Sequence, residues 1–99
     1  MTYTYIFDPL ALAEYKDAVL WYLVSSEKAA TNFIQAVNER IAAICSNPLR
    51  YRNTYKYFRE TSLKKYPYCL VYFVDEEKET IIITSLYHHK RNPKKKYRK

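Results

Sequence analysis

The chain contains no glycine among its 99 residues. Glycine lets a backbone approach a phosphate closely and enters left-handed conformations without steric cost. Its absence excludes a glycine-rich phosphate loop, and with it the P-loop nucleotidases and the usual dinucleotide-binding folds. Turns are left to Asn, Asp, Pro and Ser. Cysteine is almost as scarce. Cys45 and Cys69 sit in apolar company, in Ile41-Ala42-Ala43-Ile44-Cys45 and Tyr68-Cys69-Leu70-Val71, and read as small buried hydrophobes in a reducing compartment. Two distant cysteines and the adjacent His88 and His89 make no zinc-ligand spacing, so no metal or other cofactor is expected. The N-terminus lacks a basic run followed by an apolar stretch, and no segment is apolar for long enough to span a bilayer. The expectation is a cytoplasmic protein without a signal peptide or a membrane partner.

What is present is aromatic and basic. Twelve tyrosines suit a thin core, because each ring can pack while its hydroxyl stays wet or hydrogen-bonded. A length of 99 residues is expected to suit one compact domain and no second one, and a hydrophobic content of 48% supports folding. The net charge of +7 is unevenly placed. Residues 1–47 carry three basic and five acidic side chains, a net −2, whereas residues 48–99 carry fourteen basic and five acidic, a net +9. This is a local field, and its natural partner is polyanionic: a nucleic acid or an acidic protein segment, and after these an anionic lipid.

Tyr3 to Phe7 is β-branched and aromatic and predicts a strand. Asp8-Pro9 reads as a helix N-cap followed by proline in the first turn. Leu12, Tyr15, Val19, Tyr22 and Leu23, with Ala11 and Ala18, then predict an amphipathic helix to about Val24. Ser26 is the expected N-cap of a second helix, whose apolar stripe is Ala30, Phe33, Val37, Ile41, Ile44 and Cys45 and whose outer side includes Arg40. Asn47-Pro48 ends it. Two long helices joined by so short a link predict an antiparallel hairpin. Phe33 and Val37 are expected to face the sheet against residues such as Val71 and Ile82 or Ile83.

The period then changes to two. Tyr55 to Ser62 predicts a strand with Tyr57, Arg59 and Thr61 on one face and Phe58, Glu60 and Ser62 on the other. Lys64-Lys65-Tyr66-Pro67 predicts a turn, Tyr68 to Val74 a strand, Asp75 to Lys78 a turn and Thr80 to Tyr87 a last strand. The fold class is α+β in the order β-α-α-β-β-β, a helical hairpin packed on one face of a small, mainly antiparallel sheet. Residues 1–87 form the domain. Residues 88–99 form a basic tail, with seven basic side chains and no acid.

Trp21-Tyr22, Phe33, Asn47-Pro48, Arg59, Leu63-Lys64-Lys65-Tyr66-Pro67-Tyr68 leading to Tyr72, and the closing His88-His89-Lys90-Arg91-Asn92-Pro93 together resemble the RelE/ParE superfamily of bacterial toxins. The resemblance covers essentially the whole chain. It implies the toxin half of a type II toxin–antitoxin module, a growth inhibitor held in check by a cognate acidic antitoxin in a hetero-oligomer. The antitoxin would lay an acidic, amphipathic segment over the groove between helices and sheet. The chain departs from many relatives in one respect: the position three residues after Pro93 is Lys96 instead of an aromatic, and Tyr97 follows it.

The superfamily implies two activities on one fold. The ParE branch poisons DNA gyrase. The RelE branch cleaves mRNA on the ribosome without a metal, which requires a group to activate the 2′-hydroxyl, cations at the phosphate and an acid for the leaving oxygen. Arg59 and His88 are the catalytic candidates for such cleavage, with Lys56, Lys64 and Tyr97 behind them. For Arg59 the structural alternative is a pair within the sheet or against the helices, and for His88 it is an anchored strand end. His89 is expected to point to the opposite side. Arg50, Arg52, Lys64, Lys90, Arg91, Lys94, Lys95, Lys96, Tyr97 and Arg98 are the candidates for contact with a target or nucleic acid. The closing His-x-x-Arg-x-Pro and the long helical hairpin favour the ParE side. A ribosome-dependent endoribonuclease and a non-toxic binding module on the same fold are the alternatives.

Overall fold

The computed structural model describes residues 2–90. Seven elements follow in order: β1 (Thr4–Phe7), α1 (Pro9–Ser25), α2 (Glu27–Ser46), β2 (Arg52–Tyr55), β3 (Phe58–Ser62), β4 (Tyr68–Asp75) and β5 (Thr80–His88). They form one five-stranded sheet in the order β1-β5-β4-β3-β2. The ladder is antiparallel except where β1 joins β5 in parallel, so the first strand of the chain lies beside the last.

Local chemistry fixes the helix ends. Asp8 Oδ1 accepts the Ala11 amide at 2.8 Å and Pro9 opens α1, whose first turn needs no donor there. Ser26 serves both helices. Its amide donates to Tyr22 O at 3.2 Å as α1 ends, and its hydroxyl accepts the Ala29 amide at 2.9 Å as α2 begins. A single residue therefore turns the chain back on itself. At the far end of α2 the Asn47 amide donates to Ala43 and Ile44 carbonyls.

The α2 stripe is as the periodicity predicts: Ala30, Phe33, Val37, Ile41, Ile44 and Cys45 are all buried. In α1 the buried line is narrower. Ala11 and Ala18 are buried, with Tyr15, Val19 and Tyr22 half-buried beside them, whereas Leu12 and Leu23 stand exposed. At 100° per residue the line through positions 11, 15, 18 and 22 passes both leucines by. Leu20, Trp21 and Val24 are exposed as well. The sheet residues beneath the helices are Tyr68, Leu70, Tyr72, Ile81, Ile83 and Leu86. Ile83 is thus on the expected side, but Val71 pairs with Glu60 and Ser85, outside this core, and Ile82 pairs with Phe73 outside it too. Successive residues of a strand alternate sides, so Leu70 and Tyr72 place Val71 on the other face.

The expected strand from Tyr55 to Ser62 is instead a hairpin. Lys56 adopts φ 50°, the left-handed region, and turns β2 into β3. Tyr57 therefore leaves the alternation and sits in the turn, its ring 4.8 Å from Phe58 and 5.3 Å from Phe73. With no glycine available, two turns use residues that take this conformation at a steric cost, Lys56 and Glu79. Asn and Asp still steer them: Asn53 Nδ2 donates to Lys56 O at 2.8 Å, and Asp75 Oδ1 accepts the Lys78 amide at 3.2 Å. Strand β5 runs through His88, and the His89 amide donates to Pro67 O at 2.9 Å, so the ladder takes in the first residues of the basic segment.

Past the end of β1, the exposed edge of β5 is closed by α1. Glu14 Oε1 accepts the Leu86 amide at 3.0 Å and the Ser85 hydroxyl at 3.1 Å. Among the described residues no helix is long and apolar enough to cross a membrane.

Phe33 is fully buried, with ring centroids of Tyr22, Tyr66, Tyr68 and Tyr15 at 4.7, 5.2, 5.3 and 6.4 Å. Phe33→Ala is expected to cost about 3–5 kcal/mol in urea unfolding, because it removes a ring and leaves a cavity that four larger rings cannot close. A loss below about 1 kcal/mol would show that the hairpin does not depend on this contact.

Candidate functional site

A group of arginines gathers where α2 ends and β2 begins. Arg59, the second residue of β3, directs its guanidinium at the connecting segment: Nη1 donates to Tyr51 O at 2.8 Å and to Leu49 O at 3.3 Å. The buried hydroxyl of Tyr72, which lies opposite Arg59 on β4, donates to Pro48 O at 2.6 Å. Residues 48–51 are thus tied to the sheet through three carbonyls. The ring of Tyr51 lies between two cations, with the Arg40 and Arg50 guanidinium carbons each 5.7 Å from its centroid, and Arg40 Nη1 donates to its hydroxyl at 3.4 Å. Arg50 and Arg52 are exposed, Arg52 opposite Glu60 across the hairpin. Of the sequence-predicted residues, Arg50, Arg52 and Arg59 therefore lie together. Arg40, assigned by periodicity to the outer side of α2, and Tyr51 complete the group. No sequence signal marked either, since their meeting depends on how the chain leaves α2.

His88 is elsewhere. It pairs with Tyr68, its ring 5.2 Å from and nearly perpendicular to that of Tyr68, and it lines a cleft of about 280 Å³ with Trp21, Tyr22 and Pro67. Its Nδ1 accepts the Lys90 amide at 3.1 Å. Tyr72 and Tyr68, the partners of Arg59 and His88, are four residues apart on β4, roughly 13 Å along the strand. Arg59 and His88 also flank β4 on opposite sides, which adds about 10 Å across the ladder. With the guanidinium turned toward residues 49 and 51, the two candidates do not converge on one phosphate. Lys56, in the hairpin turn, holds its ammonium 5.3 Å from the Tyr55 ring.

Lys64 is exposed on a third surface, a groove of about 420 Å³ against α2 lined with Asn32, Gln35, Glu39, Lys65 and Tyr66. Lys90 is exposed at the end of the described residues, while Arg91, Lys94, Lys95, Lys96, Tyr97 and Arg98 lie outside them. His89 does turn to the side opposite His88, and its Nε2 lies 3.1 Å from Cys69 Sγ. Among the described residues no three His, Cys, Asp or Glu side chains gather closely enough to hold a metal ion.

Burial raises the Tyr72 phenol well above its ordinary value; Arg59 acts in the opposite direction and Tyr51 adds to the rise. Burial likewise raises Tyr22, with Tyr68 and Tyr66 contributing. A phenol raised in the fold is protonated there while the unfolded chain ionises near about pH 10, so its contribution to stability holds below that pH and is lost above it.

A family model described as the ParE toxin of type II toxin-antitoxin system, parDE, matches residues 5–93. The fold is similar to that of the chromosomal ParDE toxin–antitoxin system from P. aeruginosa, at a TM-score of 0.73 and 16% identity over 88% of this chain and 96% of that one. It is also similar to the isolated E. coli RelE toxin, at 0.65 and 18% over 92% and 88% of the two chains. A third likeness is to the intact E. coli RelBE toxin–antitoxin complex, at 0.65 and 18% over 90% and 99%. No curated protein sequence matches the chain.

Two substitutions test the anchoring of residues 48–51. Arg59→Ala is expected to lower stability by about 1.5–3 kcal/mol, as for a lost charged hydrogen bond, and Tyr72→Phe by about 1 kcal/mol. In the unsubstituted protein, phenolate absorbance is expected to show Tyr72 silent above pH 10 until the fold melts. Ionisation of every tyrosine while the protein remains folded would contradict its burial.

Proposed function

This chain belongs to the ParE toxin family of type II toxin–antitoxin systems, and from that premise we propose that it arrests growth by acting on DNA gyrase. One observation carries the choice of target. The guanidinium of Arg59 is committed to the carbonyls of Leu49 and Tyr51, and His88 stands two strands away facing Tyr68. Metal-free RNA cleavage needs a cation and a proton-transfer group at one phosphate. An arginine cluster that orders a surface segment suits a binding surface better than a nuclease centre. Arg50 and Arg52 would present charge to the target, extended by Lys90, Arg91, Lys94, Lys95, Lys96, Tyr97 and Arg98, with Lys64 on a separate face.

The partner in this reading is a cognate antitoxin in the same cytoplasm. The exposed Leu20, Trp21, Leu23 and Val24 on α1 form an apolar surface beside the cleft of Trp21, Tyr22 and His88. An amphipathic antitoxin segment would cover it with apolar side chains, while its acidic face would meet the basic half of the chain. Trp21 is the single tryptophan. Its fluorescence is expected to shift to the blue when the antitoxin binds, and an unchanged spectrum in a verified complex would place the contact elsewhere.

Induction of the chain alone is expected to stop growth, alter plasmid supercoiling and trap gyrase on DNA, with co-expressed antitoxin restoring growth. Toeprinting of translated message on ribosomes should show no new cuts, and His88→Ala should leave toxicity intact. Cut message that disappears with Arg59→Ala or His88→Ala, a loss of roughly 10²–10⁴ in rate, would overturn the gyrase assignment in favour of an endoribonuclease. Unimpaired growth with soluble expression would leave a non-toxic binding module.

Removal of residues 94–99 is expected to weaken toxicity without changing the melting temperature. Those positions hold five cations, and charged side chains are seldom part of a buried core. Full toxicity of the truncated chain would show that the segment does not meet the target.

A further inference from the structure

We propose that Cys69 is a site of reversible thiol modification by low-molecular-weight disulfides, with His89 as the group that takes its proton. The two cysteines of the chain are buried to the same degree, Cys45 at 4% and Cys69 at 5% exposure, but their surroundings differ in kind. Cys45 lies in the α2 stripe with Ile41 and Ile44, and burial pushes its thiol up. Cys69 lies on the sheet face away from the helices, within a cluster of polar groups. His89 Nε2 is 3.1 Å from its sulfur, and Ser62 Oγ, directly across the β3–β4 ladder, is 3.4 Å away. The Tyr87 hydroxyl, opposite on β5, also meets the sulfur while donating to Glu60 Oε1 at 2.8 Å.

These contacts have a chemical direction. The thiolate is the nucleophile, so reactivity depends on a nearby acceptor for the thiol proton and a donor for the sulfur anion. His89 Nε2 is the acceptor when the ring proton is on Nδ1. The Ser62 hydroxyl can rotate its proton onto the sulfur. Tyr87 has one hydroxyl proton and gives it to Glu60, so its oxygen faces the sulfur as a second acceptor. Cys45 has apolar neighbours in the α2 stripe, whereas at Cys69 an imidazole nitrogen stands ready to take the proton and the Ser62 hydroxyl to donate to the sulfur anion. The cover over the sulfur on this side is the imidazole of His89, which is exposed and follows the last residue of β5.

The step balances. The Cys69 proton passes to His89 Nε2, and the thiolate attacks one sulfur of the disulfide. A new sulfur–sulfur bond forms at Cys69 as the old one breaks, and the departing thiolate takes the proton from His89 as a free thiol. The protein sulfur is oxidised and one half of the disulfide is reduced. The adduct occupies the space of the imidazole, so it also displaces the residue whose amide holds Pro67 O.

The test uses the full chain in its reduced form with oxidised glutathione as the probe, and mass spectrometry to follow the mixed disulfide at each cysteine. Cys69 is expected to react on the order of 10²-fold faster than Cys45 in the same molecule, and His89→Gln to bring the Cys69 rate down by a similar factor while leaving Cys45 unchanged. Equal rates at the two cysteines of the unsubstituted protein, no reaction at Cys69, or an unchanged Cys69 rate in His89→Gln would each overturn the proposal. Should His89→Gln loosen the fold, Cys45 would accelerate with it, and the ratio in the unsubstituted protein then decides alone.

Discussion

Everything described here hangs on one aromatic contact between the helical hairpin and the sheet. Phe33 projects from α2 into a ring of tyrosines drawn from α1, the β3–β4 turn and β4, and Tyr22 from α1 stacks on it at 4.7 Å. A domain of this size has room for a single layer of large side chains between helices and sheet. Tyrosine answers that constraint because its ring can fill the layer while its hydroxyl reaches the edge. The same layer carries Tyr68 to His88 and Tyr72 to Pro48, so the core connects directly to the surfaces of functional interest.

The second constraint is the fastening of residues 48–51. An open connection between a helix and an edge hairpin would leave several carbonyls without partners. Arg59 and Tyr72 supply the donors, and in doing so they set Tyr51 and its flanking arginines in a defined place. The Arg59 guanidinium is thus used to order the connection between α2 and β2.

The helical half was legible because its signals are local. Asp8-Pro9, Ser26 and Asn47-Pro48 mark helix ends through their own backbone chemistry, and the α2 stripe follows from a period of 3.6. The hairpin at Lys56 was not legible, since a lysine in the left-handed region carries no sequence mark and needs Asn53 and the neighbouring strand to hold it. Alternation along β4 separates Leu70 from Val71 but does not say which of them meets the helices. That assignment comes from pairing and packing, which place Tyr68, Leu70 and Tyr72 beneath α2.

The sequence by itself determined the α+β class, the helical hairpin, the family resemblance and the concentration of positive charge after residue 47, because composition and short-range spacing carry each of these. Tertiary structure alone decided that Arg59 turns to the chain's own carbonyls, that His88 stands apart from it, that Arg40 joins Tyr51, and that His89 lies on Cys69. Each is a meeting of residues distant in the chain or turned by strand register, and a one-residue change of register would send every such side chain to the other face.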